Sequence, residues 1–153
     1  MRNALILPVV LIGVAACGGE SAVSKFSNPI LKGADPWVVT WKGQYVLAVT
    51  SGNGVELRRS PTLSGLRAAE RVSIWRAPLD GPASRDVWAP EIHFIDGHWY
   101  AYFTATTADR SDANRRIFVL ESKSDDPLGA WEFRGRLAVA EGDDHYAIDG
   151  TVY

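Results

Sequence analysis

The sequence predicts an all-β chain built from a repeated four-stranded unit. Three observations carry this. Short β-branched and aromatic runs alternate with turn-forming residues, and no long stretch shows helical periodicity. A shift of 54 residues then lays Pro36 on Pro90, Val38 on Ile92, Gly43 on Gly97 and Tyr45 on Trp99. A period above about 50 residues that holds four short strands marks a β-propeller blade. A plain antiparallel sandwich is the alternative, because hairpins resemble one another.

The elements follow in order. Trp37 to Trp41 is β-branched and aromatic, and Lys42-Gly43 turns the chain into a second strand, Gln44 to Thr50. Ser51-Gly52-Asn53-Gly54 turns again, and Val55 to Arg59 makes a third strand. Ser60 to Gly65 breaks the run before a fourth, Glu70 to Trp75. The pattern then repeats: Ile92 to Ile95, the turn Asp96-Gly97, His98 to Ala105, a polar loop, Arg116 to Ser122, and Trp131 to Leu137. The two blades are expected at about Trp37–Trp75 and Trp88–Leu137, with Ala147 to Tyr153 as the innermost strand of a third.

Composition excludes several classes. The chain has 153 residues, 46% hydrophobic and 22% charged, which is neither disordered nor collagen-like. Sixteen Lys and Arg against 18 Asp and Glu, with no basic block, leave no electrostatic footprint for nucleic acid. One cysteine rules out an internal disulfide framework and any Cys-based zinc site. His93, His98 and His145 lack metal-ligand spacing, so no metal and no cofactor are expected. Six Trp, five Tyr and five Phe suit β-structure and sugar binding, and equally a filled core.

The N-terminus is an address. Residues 1–16 read as a signal peptide: the apolar run from Ala4 to Ala16 is too short to span a bilayer. Val14-Ala15-Ala16-Cys17 resembles a bacterial lipobox, with Cys17 as the lipid anchor and residues 17–27 as a small, polar tether. An ordinary signal peptide with a cysteine near its cleavage site reads the same residues. In either case the protein is expected outside the cytoplasm; the lipid form would sit at a membrane surface.

Three carboxylates punctuate the repeat. Asp35, Glu91 and Asp149 each lie at the start of an expected first strand, 56 and then 58 residues apart. In a propeller these positions would face one another around the channel mouth, where acids repel and drive a pKa upward. Separated pKa values suit acid/base chemistry on sugars, although Asp before Pro or Gly also commonly caps a turn. Trp37 and Trp88 flank the motifs and offer flat faces to a sugar ring, or fill the core. Arg58-Arg59 and Arg115-Arg116 read as solvated strand residues, and Asp143-Asp144 as a loop acid pair without a role.

The motifs themselves carry a resemblance. Asn28-Pro29-Ile30-Leu31 through Gly33-Ala34-Asp35-Pro36-Trp37-Val38, then Trp88-Ala89-Pro90-Glu91-Ile92, then Ala147-Ile148-Asp149-Gly150-Thr151-Val152 resemble glycoside hydrolase family 43, in the family's order. The likeness runs from Asn28 to Tyr153. It implies a five-bladed propeller that hydrolyses glycosides with inversion, using two Asp and one Glu. By that resemblance Asp35 is the general base, and Asp149 tunes and orients the general acid. Glu91 shapes the pocket, because the family's acid comes later in the chain. Glu121 and Glu141 do not sit at first-strand starts. An inverting pair stands roughly 6.5–9.5 Å apart to admit the attacking water.

Trp88 to Gly97 followed by Trp99-Tyr100 looks most like the family's α-L-arabinofuranosidases, while arabinanases and β-xylosidases share much of the pattern. The expected partner is thus plant polysaccharide or an arabino-oligosaccharide. Five blades need roughly 285 residues, so the chain reads as the N-terminal part of such a hydrolase, about two blades and the first strand of a third. The general acid is expected to be absent and the fragment inactive. A carbohydrate-binding propeller without hydrolysis is the competing class.

Overall fold

The computed structural model describes residues 28–138 and 140–153. The expected signal peptide, the tether and Cys17 lie outside them.

Eight strands form two separate four-stranded antiparallel sheets, each a simple meander. The first holds β1 (Trp37–Trp41), β2 (Gln44–Thr50), β3 (Gly54–Ser60) and β4 (Val72–Arg76). The second holds β5 (Arg85–Ile95), β6 (His98–Thr106), β7 (Arg116–Ser122) and β8 (Trp131–Arg136). The two expected four-stranded units are therefore present, with ends shifted by a residue or two except at β5. That strand begins seven residues before Ile92, and its register shifts on both sides of Trp88. The motif Trp88-Ala89-Pro90-Glu91 breaks the period-two alternation by which strands are recognised, which hid the first half of β5.

Local chemistry sets the turns. Lys42 and Gly43 have φ of 47° and 75°, and Asp96 and Gly97 have 49° and 86°. Two successive positive values belong to the tight turn whose twist matches the flanking strands. Gly54 is needed for a different reason: a Cβ there would lie 2.3 Å from the Trp75 carbonyl oxygen.

The core lies between the sheets. Val46, Ala48, Val55 and Leu57 of the first meet Ile92, Trp99, Ala101, Phe103, Phe118 and Leu120 of the second, all buried. Trp41 packs edge-on against Trp99, and Trp75 stacks on Phe133. The opposite face of the first sheet is also covered, because Leu47 and Leu66 are buried there. The Arg67 guanidinium straps the incoming chain down by donating to the Pro29 and Ile30 carbonyls, both at 2.6 Å.

One strand expectation fails. Residues 147–153 form no strand. Among the described residues they pair with neither sheet. Their backbone is held by single contacts instead: Ala147 N–H donates to the Arg115 carbonyl at 3.2 Å, and Asp149 N–H to Thr104 Oγ1 at 3.1 Å.

At the opposite end of the seam, ion pairs link the sheets. Arg59 Nη1 meets Asp126 Oδ1 at 2.7 Å, and Lys42 Nζ meets Asp125 Oδ2 at 2.7 Å. The Leu128 backbone N–H and the Arg59 guanidinium hold the Asp126 carboxyl below the ordinary range, against the opposing effect of partial burial. A carboxyl lowered by folding stabilises above its unfolded pKa and loses that contribution as pH falls through the folded value. Asp126→Asn is expected to lower stability at pH 7 by about 0.5–1 kcal/mol, the pair being partly screened by solvent. In urea unfolding this difference should shrink as the pH drops below about 4, the unfolded value.

Candidate active site

The stretch Trp88-Ala89-Pro90-Glu91 is the hub around which the sequence-selected residues assemble. On one side, Asp35 precedes β1 in the left-handed region (φ 49°), a conformation that Asp tolerates better than most residues. Its Oδ2 accepts the Thr50 hydroxyl proton at 2.6 Å. The same Thr50 oxygen accepts the Ala89 N–H at 2.9 Å. Asp35 is thereby joined to the hub through a single hydroxyl. Just beyond, Gly52 and Val87 exchange two backbone hydrogen bonds of 3.1 and 3.2 Å, tying the β2–β3 turn to β5.

On the other side, Trp88 pairs across the ladder with Thr104, and Thr104 accepts the Asp149 N–H. Asp149 also lies in the left-handed region, at φ 53°. Both carboxylates are exposed.

The shift of 54 that lays Pro36 on Pro90 also lays Asp35 on Ala89 and Thr50 on Thr104. Ala89 has φ 43°, matching Asp35 and Asp149. Glu91 is thus out of phase with the two aspartates: it sits inside β5, two residues past the kink. The equivalent of Asp35 in the second blade is an alanine, so that position has no side-chain acid.

Glu91 belongs to a neighbouring cluster. Its side chain is 19% exposed and lies 3.2 Å from His93 Nε2. His93, 13% exposed, packs against the Trp37 ring at 5.0 Å and edge-on to Tyr102 at 5.8 Å. Trp37 itself spans the seam, donating from Nε1 to the Ile92 carbonyl at 2.9 Å. Burial, with Tyr100 close by, raises the Tyr102 hydroxyl pKa. The structure therefore brings Trp37, Glu91 and His93 together.

Trp88 has a different neighbour. The Arg115 guanidinium lies over its ring, 3.7 Å from the centroid. Arg115 is not the solvated strand residue the sequence suggested. Its side chain is 5% exposed and binds Asp112 Oδ1 from Nε at 2.7 Å and Asp86 Oδ2 from Nη2 at 3.2 Å. Nor is Asp144 without a role: it accepts from Arg116 and Arg136, and the Arg116 hydrogen bond is the main reason its carboxyl pKa is lowered. Sequence reading gives Thr50 and Thr104 no role at the site and takes Arg115 for a solvated residue. The two threonines had a signal, since the 54-residue shift superposes them. Arg115 had none, because its partner Asp86 lies 29 residues away across a loop.

Comparison with known proteins places the chain in context. The family model for glycosyl hydrolases family 43 matches residues 26–153. An extracellular exo-α-(1→5)-L-arabinofuranosidase of Streptomyces chartreusis is 36% identical over 95% of this chain and 48% of its own length. Alpha-L-arabinofuranosidase 43 of Humicola insolens is 33% identical over 100% of this chain and 32% of its own. Among solved structures, an alpha-L-arabinofuranosidase from Lactobacillus brevis superposes with a TM-score of 0.74 at 34% identity, covering 82% of this chain and 42% of that one. The chain thus spans about half, or less, of the length of these relatives. With a family match from residue 26 to residue 153, the chain belongs to glycosyl hydrolases family 43.

Proposed function

We propose that the protein carrying this chain is an exported glycoside hydrolase that releases terminal α-L-arabinofuranosyl residues from arabinan- or arabinoxylan-type polysaccharide, with inversion. The observation that supports this most is the repeated kink. Asp35 and Asp149 share the left-handed backbone position that opens the first repeat and follows the second, and each is joined to the Trp88–Glu91 hub through one threonine, Thr50 for Asp35 and Thr104 for Asp149. The named relatives are arabinofuranosidases, and that of Streptomyces chartreusis is named extracellular.

In this reading Asp35 is ionised and takes a proton from the water that attacks the anomeric carbon. Thr50 occupies its Oδ2, which leaves Oδ1 for that proton. Asp149 stays negative and orients a general acid, a glutamic acid carried on a later blade of a five-bladed ring. Glu91 and Trp37 shape the pocket floor, and Trp88 offers a sugar the face that Arg115 does not cover. Export through residues 1–16, with Cys17 lipidated, would place the enzyme at a membrane surface where polysaccharide fragments arrive.

The test is hydrolysis of an aryl α-L-arabinofuranoside by the full-length gene product, followed by proton NMR. The first-formed sugar is expected to be the β anomer. An α anomer would overturn inversion, and cleavage of only the aryl β-xyloside would move the assignment to a xylosidase. Binding of arabino-oligosaccharides without any cleavage would point to a carbohydrate-binding propeller.

A further inference from the structure

A threonine hydroxyl has one proton to donate and lone pairs to accept with. At Thr50 both capacities are committed. The oxygen accepts the Ala89 N–H at 2.9 Å, and the proton goes to Asp35 Oδ2 at 2.6 Å, the length of a charge-assisted hydrogen bond. Asp35 lies in the first blade and Ala89 in the second, so this hydroxyl is where the carboxylate meets the seam between them. Its own backbone is fixed as well: Thr50 N–H donates to the Ala34 carbonyl at 3.1 Å, and the neighbouring Gly52–Val87 bridge closes the same seam.

The second blade supplies an internal comparison. Thr104 occupies the equivalent place and accepts the Asp149 N–H in the same way. The amide half of the device is therefore repeated. The carboxylate half is not, because Ala89 stands where the first blade has Asp35. A seam that needed only a hydroxyl acceptor is satisfied at Thr104, so the contact to Asp35 is an addition specific to the first blade.

We propose that Thr50 is a positioning residue that aligns the Asp35 carboxylate and couples it to the blade seam. This rests on the reading of Asp35 as the general base. With Oδ2 tethered, the carboxylate cannot rotate freely and Oδ1 is presented in one orientation. A misplacement of the order of an ångström is enough to cost about 10²-fold in rate.

Thr50→Val keeps the shape and removes the hydroxyl, whereas Thr50→Ser keeps the hydroxyl. Two readouts need no catalysis: amide hydrogen exchange at Ala89 and the carboxyl ¹³C resonance of Asp35. In the full-length gene product, Thr50→Val is expected to speed Ala89 exchange about tenfold, as for one lost hydrogen bond. It should also shift the Asp35 resonance and lower kcat about 10²-fold with KM unchanged. Thr50→Ser should retain all three.

Wild-type exchange and an unmoved resonance in Thr50→Val would overturn the proposal. So would a Thr50→Ser variant as impaired as Thr50→Val, since the methyl group would then be what matters. Should Thr50→Val not fold, Asp35→Ala supplies the reciprocal measurement: freeing the hydroxyl should speed Ala89 exchange, and unchanged exchange would refute the coupling. If Asp35→Asn hydrolyses at the wild-type rate, the base assignment fails instead. The exchange and resonance data would still decide whether Thr50 joins Asp35 to the seam.

Discussion

Asp35→Asn in the full-length gene product is expected to lower kcat on an aryl α-L-arabinofuranoside by about 10²–10⁴-fold, the usual contribution of a positioned general base. KM and thermal stability should change little. The substitution isolates charge from geometry unusually well at this position. Asn tolerates the left-handed backbone that Asp35 adopts at φ 49° at least as readily as Asp. Its amide oxygen can still accept the Thr50 hydroxyl proton, so the tether to the seam survives. The side chain is exposed, so removing its charge leaves no buried partner unpaired. What disappears is the capacity to take up a proton from water. Steady-state rates at saturating substrate, compared with the wild type, read that loss directly. Unchanged hydrolysis would place the base elsewhere, and a raised KM with unchanged kcat would make Asp35 a binding residue.

The strands were legible because hairpin chemistry is local. Lys42-Gly43 and Asp96-Gly97 announce their turns through residues that accept positive φ, and the alternating apolar runs on either side fix the register. Where local chemistry and tertiary constraint diverge, the reading failed. The start of β5 was invisible because two register shifts flank Trp88, and those irregularities exist to turn the chain into the hub. Residues 147–153 have strand-like character at Ile148, Thr151 and Val152, yet pairing depends on a neighbour that sequence cannot supply.

The site was legible in part for the same reason. Asp35 and Asp149 lie at kinks that recur with the blade, so spacing found them. Glu91 was grouped with them because it is acidic and near the right distance. The backbone shows that Ala89 is the true counterpart, a distinction that depends on φ and not on residue type. Thr50 could have been found by extending the 54-residue shift beyond the first strand. Arg115 could not, because buried ion pairs across loops leave no periodic trace.

Arg115→Ala is expected to cost about 3–5 kcal/mol of folding stability, the penalty for stranding one member of a buried ion pair. That is a large share of a domain's usual total of about 5–15 kcal/mol. Three features set the magnitude. The Arg115 side chain is 5% exposed, and Asp86 only 12%, so the carboxylate left behind has little access to water. Its other partner, Arg110 at 2.5 Å, is 63% exposed and screened by solvent. The guanidinium plane also covers Trp88 at 3.7 Å, a contact that vanishes with it. Burial alone would lower the Arg115 pKa, but the hydrogen bonds and charges of Asp112 and Asp86 outweigh it and raise the pKa, so the ion is present at every working pH. Arg115→Lys should restore less than half of the loss, since a point charge cannot serve two carboxylates and a ring at once. Removing the stranded charge as well, in Arg115→Met with Asp86→Asn, should recover much more. Urea unfolding at equal m-values separates these cases. A loss below about 1 kcal/mol in Arg115→Ala would mean that Asp86 is solvated despite its burial. In the proposed reading Trp88 stacks on a sugar with the face opposite Arg115, which holds the ring in place; Arg115→Ala frees that ring and should weaken arabino-oligosaccharide binding even where the fold is rescued by a lower temperature.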